Sequence, residues 1–373
     1  ADQLEKKESA AFDSTTISTY SQNQIEARYG FNKEGDGLQT IKLLTLYSIE
    51  KRTPIAFTKI SGNLPDVITQ TNAIKQLNAL GLDVMELITD NGYYSDSNLA
   101  ELLSCGYHFI TLAKTSLKWI KPEIDKHIED LNSITTACSY DVETHCKTVI
   151  LTKEFTRERK YANHTKGEEK GSEKKFTRRI YLHIYYNHMR AAKDRSDFEQ
   201  DLMDIKQKLE SGAFTLDQLS KSAQNKAEQY LIIKTKGSKL QVTFNEKACQ
   251  ERGRHHGYFT LVASHEKNAE EALRKYRKRE NIEAMFRAGK QSTDMDYVRV
   301  WDTETLRGRL FVQFITLCYY EYFSEKLRQV KSTLGIANGD KTHDTKENLG
   351  MERKLFSWMA NTPSMRNCSG SIP

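Results

Sequence analysis

The chain has 373 residues, a mass of 43.0 kDa and a formal net charge of +6 at pH 7. At roughly 100–200 residues per domain, that length excludes a single small module and predicts two or three domains. Apolar residues make up 38% of the sequence, enough for a sizeable core in a water-soluble chain. The modest basic balance permits a polyanionic partner without requiring one.

The apolar stretch at 310–323 falls short of the roughly 20 residues that span a bilayer, and the opening ADQLEKKESA has no signal-peptide character. A membrane or secreted protein is therefore disfavoured. Six cysteines (Cys105, Cys138, Cys146, Cys249, Cys318, Cys368) lie scattered without any C-x-x-C, which fits neither a disulfide scaffold nor a structural zinc site and points to a reducing cytoplasm. The chain begins with Ala, and a strand-like segment starts within ten residues. This predicts that an N-terminal part precedes the fragment.

Residues 8–20 (ESAAFDSTTISTY) are rich in small and β-branched types, and residues 41–50 and 53–62 follow in the same manner, predicting three successive strands. Asp66 is placed to cap a helix running to Gly81, and residues 83–90 (DVMELITD) form a buried strand ending in an acid. A helix at 97–104 and a strand at 107–114 complete a β-β-β-α-β-α-β order, which predicts a mixed sheet flanked by helices. From 115 to 255 the pattern turns to charged strand-like pieces, a biased loop at 164–175, the alternating strand RRIYLHIYYN at 178–187 and a helix at 192–211. That stretch reads as an inserted lobe separate from the first sheet. A strand at 257–264, a long helix at 268–290 and another at 303–330 follow, and a polar tail occupies 331–373.

In the helix LRKYRKRENIEAMFRAGK, Tyr276, Arg279, Glu283 and Lys290 stand at successive offsets of 3, 4 and 7. At about 100° per residue they share an arc of about 60° on one face, along a stripe roughly 21 Å long. Taken alone, such a row is also compatible with a solvated amphipathic face. It matches position for position the Y-(2)-R-(3)-E-(6)-K signature of bacterial insertion-sequence transposases with a DDE catalytic domain. The flanking YFTLVAS and VRVWDTETLRGRLFVQFITL resemble that family's context as well.

The resemblance implies a ribonuclease H-like α/β core, residues 1–114 and 256–330, interrupted by a mixed, strand-containing insertion at 115–255. It also implies two further acids. Asp13, in the middle of AAFDSTTIS, and Asp90, in ITDNGYYSDSNL, lie where the family's fold puts them. A mid-strand Asp among apolar neighbours is unfavourable by propensity, so Asp13 needs a reason that a metal ligand supplies, although an edge position facing water is the plainer alternative. For Asp90 the plainer alternative is a turn cap.

Three carboxylates suit in-line displacement at a phosphodiester, in which two divalent ions about 3.5–4 Å apart act on the attacking and leaving oxygens. Hard oxygen ligands favour Mg²⁺, with Mn²⁺ as a substitute. The resemblance gives Asp13, Asp90 and Glu283 the catalytic and metal-binding role, and gives Tyr276, Arg279 and Lys290 contacts to DNA. Arg274, Lys275, Arg277, Lys278 and Arg287 make the same segment basic, which fits a DNA backbone or simple solvation.

The implied function is DNA transposition: cleavage at element ends, then joining of the freed 3′-hydroxyl to target DNA. Double-stranded DNA (transposon ends and target) is the partner, the protein acting as a homodimer in the bacterial cytoplasm or on the nucleoid. A non-transposing nuclease of the same fold and an inactive DNA-binding descendant remain as alternatives. Cys249, His255 and His256 lack a fourth ligand at a zinc spacing, the lysines of the 164–175 loop are interleaved with Glu, and Trp119 reads as a core or docking residue more readily than as a base-stacking one.

Overall fold

The computed structural model describes residues 9–70, 86–158, 171–236 and 239–333. The chain divides into two compact units, one formed by the segments up to Phe109 and from Lys275 onward, the other by Ile110–Arg274.

In the first unit, β1 (Ser9–Thr19) is buried along its whole length, as its small and β-branched composition allows on both faces of a central strand. It pairs antiparallel with β2 (Gln39–Ser48), which pairs antiparallel with β3 (Thr53–Ser61). On its other side β1 runs parallel to β4 (Glu86–Thr89). The order β3-β2-β1-β4 with this mixed polarity is the ribonuclease H-like arrangement, an α/β mixed sheet flanked by helices. Of the helix expected from Asp66 to Gly81, residues 66–70 are helical and the remainder lies outside the described residues, as do residues 83–85 of the predicted fourth strand and the tail from 334. Helix α1 (Asp96–Ser104) begins at Ser95, whose hydroxyl accepts from the Asn98 N–H, a standard N-cap.

The second unit opens with the end of β5 (His108–Ala113), and continues through α2 (Lys121–His127), β6 (Ala137–Cys138), β7 (Asp141–Glu158) and β8 (Glu173–Asn187). Next come α3 (His188–Glu210), α4 (Lys221–Tyr230), the hairpin β9 (Leu231–Lys236) and β10 (Lys239–Phe244), α5 (Glu246–Gly253) and β11 (Tyr258–Ala263). β11 pairs antiparallel with β5 and with β8, and β8 pairs with the long strand β7. The alternating strand RRIYLHIYYN thus shares a sheet with the strand at 257–264, which the sequence groups with the core. Ile205, Leu209, Leu219, Ala227, Leu231 and Val242 form an apolar cluster beneath the helices of this unit.

The long helix expected at 268–290 is two helices, α6 (Ala269–Arg277) and α7 (Glu280–Ser292). Between them the N–H groups of Arg279, Asn281 and Ile282 donate to the carbonyls of Tyr276, Lys278 and Arg279, so three-residue bonds replace the four-residue ladder. Back in the first unit, β12 (Tyr297–Val298) lies parallel beside the end of β1. The last described helix, α8 (Thr303–Thr333), buries Leu306, Leu310, Gln313, Leu317 and Glu321 at helical spacing. Gly289 is where α7 and α8 approach, since a Cβ there would lie 3.3 Å from Leu317.

Candidate active site

Register brings the first two acids together. Phe12 on β1 stands opposite Thr89 on β4, so the next residues along the parallel pair are Asp13 and Asp90. Asp13 lies on an interior strand, opposite Thr45 of β2, which removes the edge-strand alternative. Its carboxylate accepts from the Ser14 N–H at 2.8 Å. Asp90 also caps the short turn Asn91–Tyr93, accepting from the Asn91 N–H at 2.7 Å, so a turn-capping position and a place beside Asp13 coincide.

The third acid arrives on α7, whose buried face of Ile282, Met285 and Phe286 fixes its rotation and leaves Glu283 at the edge. All three carboxylates gather on Arg279. Its Nη1 donates to Asp13 Oδ2 at 3.0 Å, its Nη2 donates to Glu283 Oε1 at 2.6 Å, and the same Nη2 stands 3.8 Å from Asp90 Oδ2. The Tyr276 hydroxyl donates to Asp90 Oδ1 at 3.1 Å, and the Arg279 guanidinium lies over the Tyr276 ring with 5.6 Å to its centroid. Asp13 and Arg279 are enclosed, at 12% and 11% side-chain exposure, whereas Asp90 and Glu283 reach 41% and 45%. The cluster therefore has a closed end at Asp13 and an open end at the other two acids.

Burial raises the Asp13 carboxyl above the ordinary range, against the lowering pull of Arg279, Lys33 and the Ser14 N–H. Burial works against the Arg279 charge too, but the facing Tyr276, Asp13, Asp90 and Glu283 outweigh it and hold the guanidinium firmly protonated. Burial and then Asp90 push the Tyr276 phenol up, so it acts as a donor.

Lys290, the fourth member of the stripe, does not join this cluster. Its ammonium pairs with Glu34, in the loop between β1 and β2. Because the helix breaks at Lys278 and Arg279, the four residues do not form one continuous stripe, yet the break delivers Arg279 to the acids. Of the neighbouring cations, Lys275 bonds Glu86 at 2.9 Å and Arg274 bonds Glu271 at 2.9 Å.

A second network lies beside the first, on residues that no sequence motif marks. Asp66 accepts from Lys42 at 2.8 Å and from the Ser14 hydroxyl at 3.0 Å, and the Lys33 ammonium donates to the Ser14 carbonyl at 2.9 Å. The available signal was Lys42, a lone cation in the apolar run IKLLTLY; it is buried.

Three carboxylates with hard oxygens around a shared positive charge fit a divalent cation in kind, and the guanidinium is itself the stand-in charge at their common point. As the side chains stand around Arg279, however, no three His, Cys, Asp or Glu groups among the described residues are close enough together to hold one ion. Elsewhere, His255 bonds Asp125 at 2.7 Å, His256 packs edge-on against Phe198, and the Lys153 ammonium covers the half-buried Trp119 ring. Among the described residues no helix is long and apolar enough to cross a membrane.

No curated protein matches the chain. Among solved structures, a piggyBac transposase synaptic complex with hairpin DNA is similar at 8% identity and a TM-score of 0.41, over 99% of this chain and 58% of that one. The chain thus spans little more than half the length of that transposase, and a likeness this distant adds no argument. The model of the transposase DDE domain matches residues 5–319, a range that holds Asp13, Asp90, Arg279 and Glu283, and the chain belongs to that family.

Proposed function

We propose that this chain is the catalytic part of a DNA transposase that cleaves phosphodiester bonds at the ends of a mobile element and joins the freed 3′-hydroxyl to target DNA. The observation that carries this reading is that Asp13, Asp90 and Glu283, from β1, the end of β4 and α7, all face the Arg279 guanidinium. Asp13, Asp90 and Glu283 would hold Mg²⁺, or Mn²⁺ in its place, which supplies Lewis-acid stabilisation of the attacking and leaving oxygens.

The chain's own groups do the rest. Arg279 offers a planar fork and Lys290 a point charge to backbone phosphates, and the Tyr276 hydroxyl donates to a third acceptor. In the first step water attacks phosphorus in line, the bond from phosphorus to the 3′-oxygen breaks, and that oxygen leaves as the 3′-hydroxyl. Asp13 stands at the enclosed inner side of the site, at 12% side-chain exposure. In the second step the 3′-hydroxyl attacks a target phosphodiester, loses its proton and displaces the target's own 3′-oxygen. Two copies acting on two ends give the paired product this sequence of steps requires.

The deciding experiment incubates the full-length protein with the ends of its own element, a target plasmid and Mg²⁺. Cleaved ends joined to target support the proposal. Cleavage without joining identifies a nuclease of the same fold, and end binding with neither identifies an inactive descendant.

A further inference from the structure

Arg279 holds the oxygens that a metal ion would need. Its Nη1 engages Asp13 Oδ2 and its Nη2 engages Glu283 Oε1, and Nη2 also stands 3.8 Å from Asp90 Oδ2. A hard cation binds carboxylate oxygens, and a guanidinium on those oxygens competes with it by its charge and by the lone pairs it engages. Arg279 is nevertheless incompletely satisfied where it stands, because its Nε is buried and has no hydrogen-bond partner. A phosphate diester offers the planar fork two oxygens at once, and the cluster is open to solvent on the side of Asp90 and Glu283, at 41% and 45% exposure.

We propose that Arg279 is an internal counter-ion that couples DNA binding to metal binding. It competes with a divalent cation for Asp13 and Glu283, and a backbone phosphate of bound DNA draws it away and leaves the acids to the metal. The inference rests on the metal-dependent reading above. It differs from a role as a simple phosphate contact, which would leave metal affinity untouched, and from a role as a structural clamp, whose loss would scatter the acids and weaken metal binding. Linkage makes the coupling reciprocal: DNA tightens metal binding by the same factor as metal tightens DNA binding.

The test measures Mn²⁺ binding by the paramagnetic resonance signal of free Mn²⁺. It uses the whole chain, unaltered and as Arg279→Met, each with and without a duplex oligonucleotide. Without DNA, Arg279→Met should bind Mn²⁺ at least tenfold more tightly than the unaltered protein. Duplex should tighten the unaltered protein by a similar factor and the variant by much less. Equal or weaker binding by the DNA-free variant overturns the proposal.

Should Arg279→Met fail to fold by near-ultraviolet circular dichroism, Arg279→Lys takes its place. A point charge satisfies fewer of these oxygens than a fork, so this variant should bind Mn²⁺ severalfold more tightly than the unaltered protein, and no gain overturns the idea. Asp13→Asn and Glu283→Gln separate the two levels of argument. If neither lowers Mn²⁺ affinity, the metal-dependent reading itself fails; if both do while the Arg279 variants show no gain, only the counter-ion role is lost.

Discussion

Replacing Glu283 by Gln separates chemistry from binding and folding more cleanly than any other change at the site. The Glu283 side chain is 45% exposed and accepts from Arg279 at 2.6 Å, and Gln keeps an oxygen acceptor at that place. Arg279 also keeps Asp13 at 3.0 Å and Asp90 within 3.8 Å, so the loss of a half-exposed ion pair should cost under about 1 kcal/mol. For a folded unit of this size that is a fall in Tm of no more than about 4 °C. Catalysis should respond on another scale, because metal-borne charge stabilisation is worth several kcal/mol. Losing about 4 kcal/mol of it lowers the rate by about 10³-fold. Nicking of a supercoiled plasmid carrying the element's ends, with Mg²⁺, reads the rate; gel shift on the same ends reads binding; circular dichroism reads Tm. Cleavage within tenfold of the unaltered protein would refute the role of Glu283, and so would a fall in cleavage matched by an equal fall in end binding.

Lys290→Ala should weaken DNA binding similarly across sequences and reduce the slope of log K against log salt by about 0.9, whereas Glu34→Ala, which releases Lys290 from its partner, should tighten binding at low salt; a loss confined to one base position would contradict both. Glu321 is buried and its carboxyl is raised by burial, against the hydrogen bond from the Tyr47 hydroxyl. A raised acid costs nothing below its unfolded pKa near 4.5 and its full penalty above the folded one. Glu321→Gln should therefore gain in relative stability as pH rises from 4.5 to 7 in urea titrations, and a gap independent of pH would count against the argument. Gly62→Ala should destabilise by about 3 kcal/mol or more, since a Cβ there would stand 2.0 Å from the Thr40 carbonyl oxygen; an unchanged urea midpoint would show that β2 and its neighbouring loop yield freely.

Much of the first unit is legible because its strands carry their reason locally. The run AAFDSTTIS is small and β-branched with Asp13 as its one charge, so both the central strand and the exceptional acid can be read from it. The break between α6 and α7 could not be read: LRKYRKREN contains no Gly, Pro or β-branched residue, and local propensity continues the helix straight through. The break falls where the Arg279 guanidinium meets three acids, a tertiary setting to which local propensity is blind. The bond from Lys42 to Asp66 was equally hidden, because capping chemistry explains an Asp before a helix without reference to a lysine 24 residues away. The 18-residue strand β7 alternates poorly and interleaves charges, so its pairing with β8 supplies the order that its own pattern does not.

The acids come from three places along the chain, and the last two are nearly 200 residues apart. A ribosome adding 5–20 residues per second takes about 10–40 s to pass from Asp90 to Glu283. Throughout that interval β1 and β4 can pair while the third acid and the guanidinium that gathers them have not been made. The cluster that the proposed chemistry needs is therefore incomplete in the nascent chain, and it can close only once α7 has been made and has folded against the sheet.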